Sequence, residues 1–163
     1  MTSTQRPLIG VAECLPPIAN VSLSQGTRAS VLVFPHPGSC PECATYLAAL
    51  SEIAEDLRLW GTRMLVVAPG PAADPRTSDS PGYTVLADEE HTARSRVGVN
   101  DGDVAVIVAD RYGAVYQVSA AGADHCLPDP GDLVELAKFI DIQCPECGVP
   151  GPEWQLACPL PLG

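Results

Sequence analysis

SVLVFPHPGSCPECATYLAAL, residues 30–50, is the stretch whose reading decides the fold. Ser30 to Phe34 is a short apolar, β-branched run and reads as a buried strand. A Pro/Gly/Ser-rich turn stops it, and Cys40 and Cys43 follow three residues apart. From Pro41 the apolar period changes: Leu47, Leu50, Ile53, Ala54 and Leu57 recur at helical spacing, with Glu52, Glu55 and Asp56 between them. That pattern predicts one amphipathic helix of about 18 residues, ended by Gly61. Met64 to Ala68 is a second apolar strand, so strand, helix and strand form a βαβ unit with parallel strands.

Further along, residues 69–82 form a Pro/Gly/Ser-rich loop. Tyr83 to Leu86 reads as a short strand, and Asp88 to Arg96 as a helix entered through acidic residues, which suits the positive end of its dipole. Val104 to Ala109, the turn DRYG and Ala114 to Val118 make a β-hairpin. GADHCLPDPGD, residues 122–132, is a loop, and Asp132 to Ile142 a last helix with Leu133, Leu136, Ala137 and Ile140 on one face. The order places a mixed sheet between helices, an α/β fold. Three regions follow: an irregular, Pro-rich N-terminal segment (1–20), a central domain (21–142) opening with a strand near Val21 to Leu23, and a Cys/Pro/Gly-rich tail (143–163).

The 163 residues suffice for one domain with a real core, and 46% apolar against 18% charged residues is a globular composition. A net charge of −11, with Lys138 the single lysine beside eight arginines, argues against nucleic-acid or anionic-membrane partners, which require a basic surface. The N-terminus has no basic stretch leading into a continuous apolar one, and no run is long enough to span a bilayer. The expected location is the cytoplasm, where thiols stay reduced and C-x-x-C spacing points to redox or metal chemistry before structural disulfides. Seven cysteines cannot all pair internally.

At the first CPEC, a strand delivers a tight turn and the cysteines open a helix. Backbone N–H groups and the helix dipole then favour a thiolate, the attacking species. Cys40 is the expected nucleophile and Cys43 the thiol that resolves a mixed disulfide. Pro41 suits the first helical turn because it lacks an N–H. Glu42 places a negative charge beside the pair, and His36 stands four residues before Cys40. Two buried structural thiols are the plainer reading of this pair, and ordinary loop residues that of each histidine.

The second CPEC, Cys144 to Cys147, lies about a hundred residues on, far beyond the 15 to 20 residues between the halves of a zinc ribbon. With Gly148 after it, this pair has the look of half a zinc knuckle, and Cys144, Cys147 and Cys158 are a local zinc set. A tail disulfide, a shuttle dithiol and free thiols are its alternatives. A head-to-tail dimer would bring the two CPEC pairs together. The loop carrying His125 and Cys126 returns to the edge of the first pair, so Cys40, Cys43 and His125 or Cys126 form a second candidate soft-metal set. No phosphate-binding glycine loop, Ser–His–Asp arrangement or paired carboxylates stand out.

Phe34-Pro-His-Pro-Gly-Ser-Cys40-Pro-Glu-Cys43 resembles the Phe-x-x-Gly-x-Trp-Cys-Pro-x-Cys run of thioredoxin-like redoxins in the alkyl hydroperoxide reductase/thiol-specific antioxidant (peroxiredoxin-related) superfamily. The resemblance extends through MLVVA, YTVLADEEHTARSRVGV and VAVIVADRYGAVYQV and covers about residues 20 to 142. It implies a thioredoxin-like fold and a thiol–disulfide oxidoreductase. The substrate would be a protein or small-molecule disulfide, or a peroxide, and a thiol reductant would restore the pair without a cofactor. In the peroxidase register Cys43 takes the position of the peroxide-attacking cysteine. Three departures stand out. Ser39 replaces the tryptophan, no arginine suited to activating a peroxide is recognisable, and Val104 (or Asp103) occupies the position of the cis-proline beside the pair. The missing proline opens the alternative of a zinc- or soft-metal-binding module on a redoxin scaffold.

Overall fold

In the computed structural model, residues 6–18, 27–70, 82–88 and 90–143 are described. The elements are β1 (Ala29–Phe34), α1 (Pro41–Glu52), α2 (Ala54–Leu59), β2 (Thr62–Pro69), β3 (Thr84–Asp88), α3 (Thr92–Val97), β4 (Val104–Asp110), β5 (Val115–Ala121) and α4 (Pro130–Ile142).

The strands form one mixed sheet in the order β3-β2-β1-β4-β5. β1 pairs in parallel with β2, and β2 with β3. β4 runs antiparallel to β1, and β5 antiparallel to β4. Both faces of the sheet are covered, which is why β1 and β4 read as unbroken apolar runs instead of alternating ones. The side-chain period of two still sorts the residues. Val31, Val33, Met64, Val66, Val106 and Val108 pack with Leu50, Leu57, Leu133, Ala137 and Ile140 of α1, α2 and α4. Leu32, Phe34, Leu65, Val67, Ala105 and Ile107 pack on the other face with Ala93 and Val97 of α3 and with Ile9 and Ile18.

Residues 6–18 therefore contribute to the core although they form no named element. Their backbone bonds to α3 and to the β4–β5 turn: Ile9 N–H donates to Val97 O (2.9 Å), Ala12 N–H to Val115 O (2.8 Å) and Leu15 N–H to Gly113 O (2.9 Å). Gly98 permits this crossing. Its φ is 77°, and a Cβ there would collide with Pro7 O.

The single helix expected over residues 41–58 is two helices, interrupted at Ile53 (φ −96°, ψ 0°). Just before the break, Ser51 Oγ donates to Leu47 O (3.0 Å), a back-bond that competes with the helix ladder and bends it. The helix expected from Asp88 begins at Thr92. Asp88 instead ends β3, and its carboxylate accepts from Ala93 N (2.9 Å) and Arg94 N (3.0 Å), capping α3 from the strand. β5 runs to Ala121, three residues past the expected end, and α4 starts at Pro130, capped by Asp129 Oδ1 on Gly131 N (2.8 Å). The strand expected near Val21 to Leu23 and the tail from Cys144 lie outside the described residues. No helix among the described residues is long and apolar enough to cross a membrane.

Candidate functional site

β1 is the central strand, and the chain leaves its carboxyl end at Phe34 directly into the turn carrying His36. Cys40 is the N-cap of α1 in extended conformation (φ −103°, ψ 117°), with Pro41 in the first helical turn. Ala44 N–H donates to Cys40 O (3.0 Å), the first bond of the helix. Cys40 is half-buried and Cys43, one turn in, is buried at 6% exposure. Cys43 packs against Val104 and Ala121, so the start of β4 sits beside the pair.

The loop between β5 and α4 completes the site. His125 adopts a left-handed backbone (φ 48°), a conformation that costs a non-glycine residue about 1 kcal/mol. Its N–H donates to Gly122 O (3.2 Å), and its carbonyl accepts from Leu127 N (2.8 Å). Tyr46 Oη, on α1, donates to Pro128 O (2.9 Å) and pins this loop to the helix that carries the cysteines. Desolvation first, then the nearby Asp129 charge, push the Tyr46 phenol up to about 12, so it remains a neutral donor.

Four side chains converge. His125 Nε2 lies 3.2 Å from Cys40 Sγ, His36 Nδ1 lies 3.5 Å from Cys43 Sγ, and the two ring nitrogens are 3.0 Å apart. Each ring is held from behind: His36 Nε2 donates to Gly102 O (3.0 Å) and His125 Nδ1 to Ala123 O (2.9 Å). The rings meet edge to face with centroids 4.7 Å apart. Glu42 Oε2 lies 3.3 Å from Cys40 Sγ. The backbone N–H at Glu42 and the Cys40 thiol hold that carboxyl below its usual value. Burial pushes the Cys43 thiol up, and Cys40 and Glu42 add to the effect against an opposing hydrogen bond from the His36 backbone.

Of the residues singled out in the sequence, the fold brings together Cys40, Cys43, His36 and His125, with Pro41 and Glu42 at their rim. Cys126 is exposed and stands outside this cluster, because the left-handed turn at His125 directs the two neighbouring side chains differently. Cys144, Cys147 and Cys158 lie outside the described residues.

One residue beneath the site escaped the sequence reading. Arg94 of α3 is 2% exposed and donates to three backbone carbonyls: Asn100 O (2.9 Å), Asp103 O (2.8 Å) and Pro35 O. It thereby ties the turn before His36 to the segment entering β4. Desolvation lowers its pKa, opposed by the charges of Asp101, Asp88, Asp103 and Cys43. The available signal was an arginine three residues before Val97 on the inward face of a short helix.

A cavity of about 530 Å³ opens beside Cys40 and Cys43, walled by Leu47, Val66, Tyr83 and Val85, so the approach to the sulfurs is largely apolar.

No protein-family model and no curated protein sequence matches the chain. Solved structures do. AhpC of Mycobacterium tuberculosis superposes with a TM-score of 0.63 at 15% identity, over 86% of this chain and 98% of that one. A putative thioredoxin from Neisseria meningitidis gives 0.56 at 19% identity over 76% and 79%. Peroxiredoxin Q of Xanthomonas campestris gives 0.56 at 14% over 71% and 81%. The fold is thioredoxin-like, similar to that of these peroxiredoxins, with a mixed five-stranded sheet flanked by helices.

Proposed function

We propose that the chain is a thiol–disulfide oxidoreductase in which Cys40 is the nucleophile and Cys43 the resolving thiol. The observation that carries this reading is His125 Nε2, 3.2 Å from the sulfur of a half-buried cysteine at a helix N-terminus. His125 takes the Cys40 proton, and the thiolate attacks a substrate disulfide. The Cys40–substrate bond forms as the substrate S–S bond breaks, and one substrate thiolate leaves and takes up a proton. Cys43, deprotonated by His36 at 3.5 Å, then attacks Cys40 Sγ. The second substrate thiol departs and a Cys40–Cys43 disulfide remains, two electrons having passed to the substrate. An external thiol returns them, as reducing thiol systems of the cytoplasm would.

Burial supports this order. Cys43 is the more enclosed thiol and is pushed up, so it serves after the mixed disulfide forms. The same burial disfavours Cys43 as a peroxide-attacking thiolate, and Arg94 spends its guanidinium on three carbonyls, so disulfide exchange is preferred over peroxide reduction. The apolar cavity suits a protein or small-molecule disulfide with apolar flanks.

The test is a pair of serine variants assayed for insulin disulfide reduction and for peroxide consumption. Cys43→Ser should accumulate a mixed disulfide through Cys40, and Cys40→Ser should lose exchange altogether. Wild-type turnover by Cys40→Ser would overturn the reading. Peroxide consumption that survives Cys40→Ser and is lost in Cys43→Ser would move the chain to the peroxidase branch.

A further inference from the structure

We infer that His36, Cys40, Cys43 and His125 form a tetrahedral Cys₂His₂ site for a single zinc ion. The inference stands independently of disulfide exchange, because it rests on where lone pairs point.

A carbonyl oxygen only accepts, so the ring nitrogens bonded to Gly102 O and Ala123 O carry the N–H groups. His36 Nδ1 and His125 Nε2 are then the bare nitrogens, and they face one another at 3.0 Å. Two lone pairs at that distance repel unless a cation lies between them. A proton serves one contact. A metal ion also uses both sulfurs, since the two nitrogens and two sulfurs all lie within 4.8 Å of one another. Bond lengths of about 2.0 Å to nitrogen and 2.3 Å to sulfur give a tetrahedron with edges of about 3.3 to 3.8 Å. The contacts of 3.0, 3.2 and 3.5 Å bracket its short side, and side-chain rotations that draw in the wider pairs, none beyond 4.8 Å, close the site.

The surroundings fit an ion held for stability. Ligating histidines characteristically donate their second nitrogen to a carbonyl or carboxylate, and both do so here. The ligands come from the turn after β1, from the first turn of α1 and from the loop before α4, so the ion would clasp three separate segments. Two thiolates balance a divalent charge, which lets a neutral centre form around the buried Cys43. A tetrahedral set of two thiolates and two imidazoles selects zinc among common divalent ions. Binding expels the protons of both thiols. The ion then occupies the sulfur lone pairs that a Cys40–Cys43 disulfide would need, so metal and disulfide exclude each other.

Reduced, metal-stripped full-length protein titrated with cobalt(II), then zinc, tests this. We expect one cobalt per chain, with the intense ligand-field bands of tetrahedral cobalt and sulfur-to-cobalt charge transfer, displaced by zinc. His36→Asn and His125→Asn should each weaken binding by ~100-fold or more. Asn is suited to the left-handed position at 125. A variant with Cys144, Cys147 and Cys158 all changed to serine should keep the signal unchanged. Signal lost in that tail variant, or retained in both histidine variants, overturns the site, as does the absence of tetrahedral cobalt. Should the histidine variants fail to fold, X-ray absorption of the zinc-loaded wild type decides: two sulfur and two nitrogen neighbours support the site, and any other shell overturns it. Exchange activity in metal-free protein bears only on the redox reading, so the two can fail separately.

Discussion

His36 Nδ1 and His125 Nε2 lie 3.0 Å apart although 89 residues separate them in the chain, and each ring is fixed from behind by a backbone carbonyl. This pairing places one imidazole against each sulfur of the CPEC motif. Replacing His125 by glycine removes the imidazole and relieves the left-handed backbone, so the two effects separate. We expect His125→Gly to melt within a few degrees of wild type, since relief of about 1 kcal/mol of strain is offset by added chain entropy of similar size. Alkylation of Cys40 at neutral pH should slow by ~10-fold or more, within the range of general-base losses. Unchanged alkylation would remove His125 from the activation of Cys40.

Arg94 gives a stability prediction. Its guanidinium is buried and donates to Pro35 O, Asp103 O and Asn100 O, the last of which also accepts from Asp103 N–H (3.1 Å). Arg94→Met keeps much of the side-chain volume and removes three charge-assisted bonds from a buried site, so it should cost about 3 kcal/mol or more, measured by urea unfolding. The loop from Pro35 should loosen with it, and His36 with the loop. A loss below about 1 kcal/mol would mean that water replaces the guanidinium, and Arg94 would not be the anchor described.

Tyr46→Phe removes the bond from α1 to Pro128 O. One such bond contributes about 1 kcal/mol, equivalent to a drop of ~3 °C in melting temperature for a chain of this size. The effect has a sign in alkali. The folded phenol titrates near 12, above its ordinary 10, so the folded state holds its proton longer than the unfolded state. Stability from this group is full below pH 10 and falls as pH rises from 10 through 12. The advantage of wild type over Tyr46→Phe should shrink across that window, as followed by urea unfolding at each pH.

Asp110 makes the corresponding test in acid. Its carboxylate caps the β4–β5 turn, accepting from Tyr112 N (2.8 Å) and Ala114 N (2.9 Å), yet burial raises its pKa above 3.8. The folded state therefore holds this proton at pH values where the unfolded chain has lost it. The group's contribution declines as pH rises from about 3.8 through the raised value. Asp110→Asn keeps the acceptor oxygen without the charge. Its stability relative to wild type should increase from about pH 3 to about pH 7, across the range of carboxylate titration. A flat difference would show that the turn N–H groups compensate the burial.

The sequence alone determined the strand–turn–helix placement of Cys40 and Cys43, the parallel β1–β2 unit, the β4–β5 hairpin and the last helix, because each is written in local periodicity and turn chemistry. The break at Ile53 and the late start of α3 were not legible, since they depend on the Ser51 back-bond and on Asp88 capping a helix from a strand. The sequence grouped Cys40 and Cys43 with His125 or Cys126; tertiary structure decided between those two and joined His36 to the set. Residues 36 and 125 share no local pattern, and only the sheet order and the turn at His125 carry one ring to the other while leaving the adjacent Cys126 exposed. Arg94 shows the same limit: a charged side chain can be buried only where several acceptors from distant segments converge on it, and such convergence is a property of the fold.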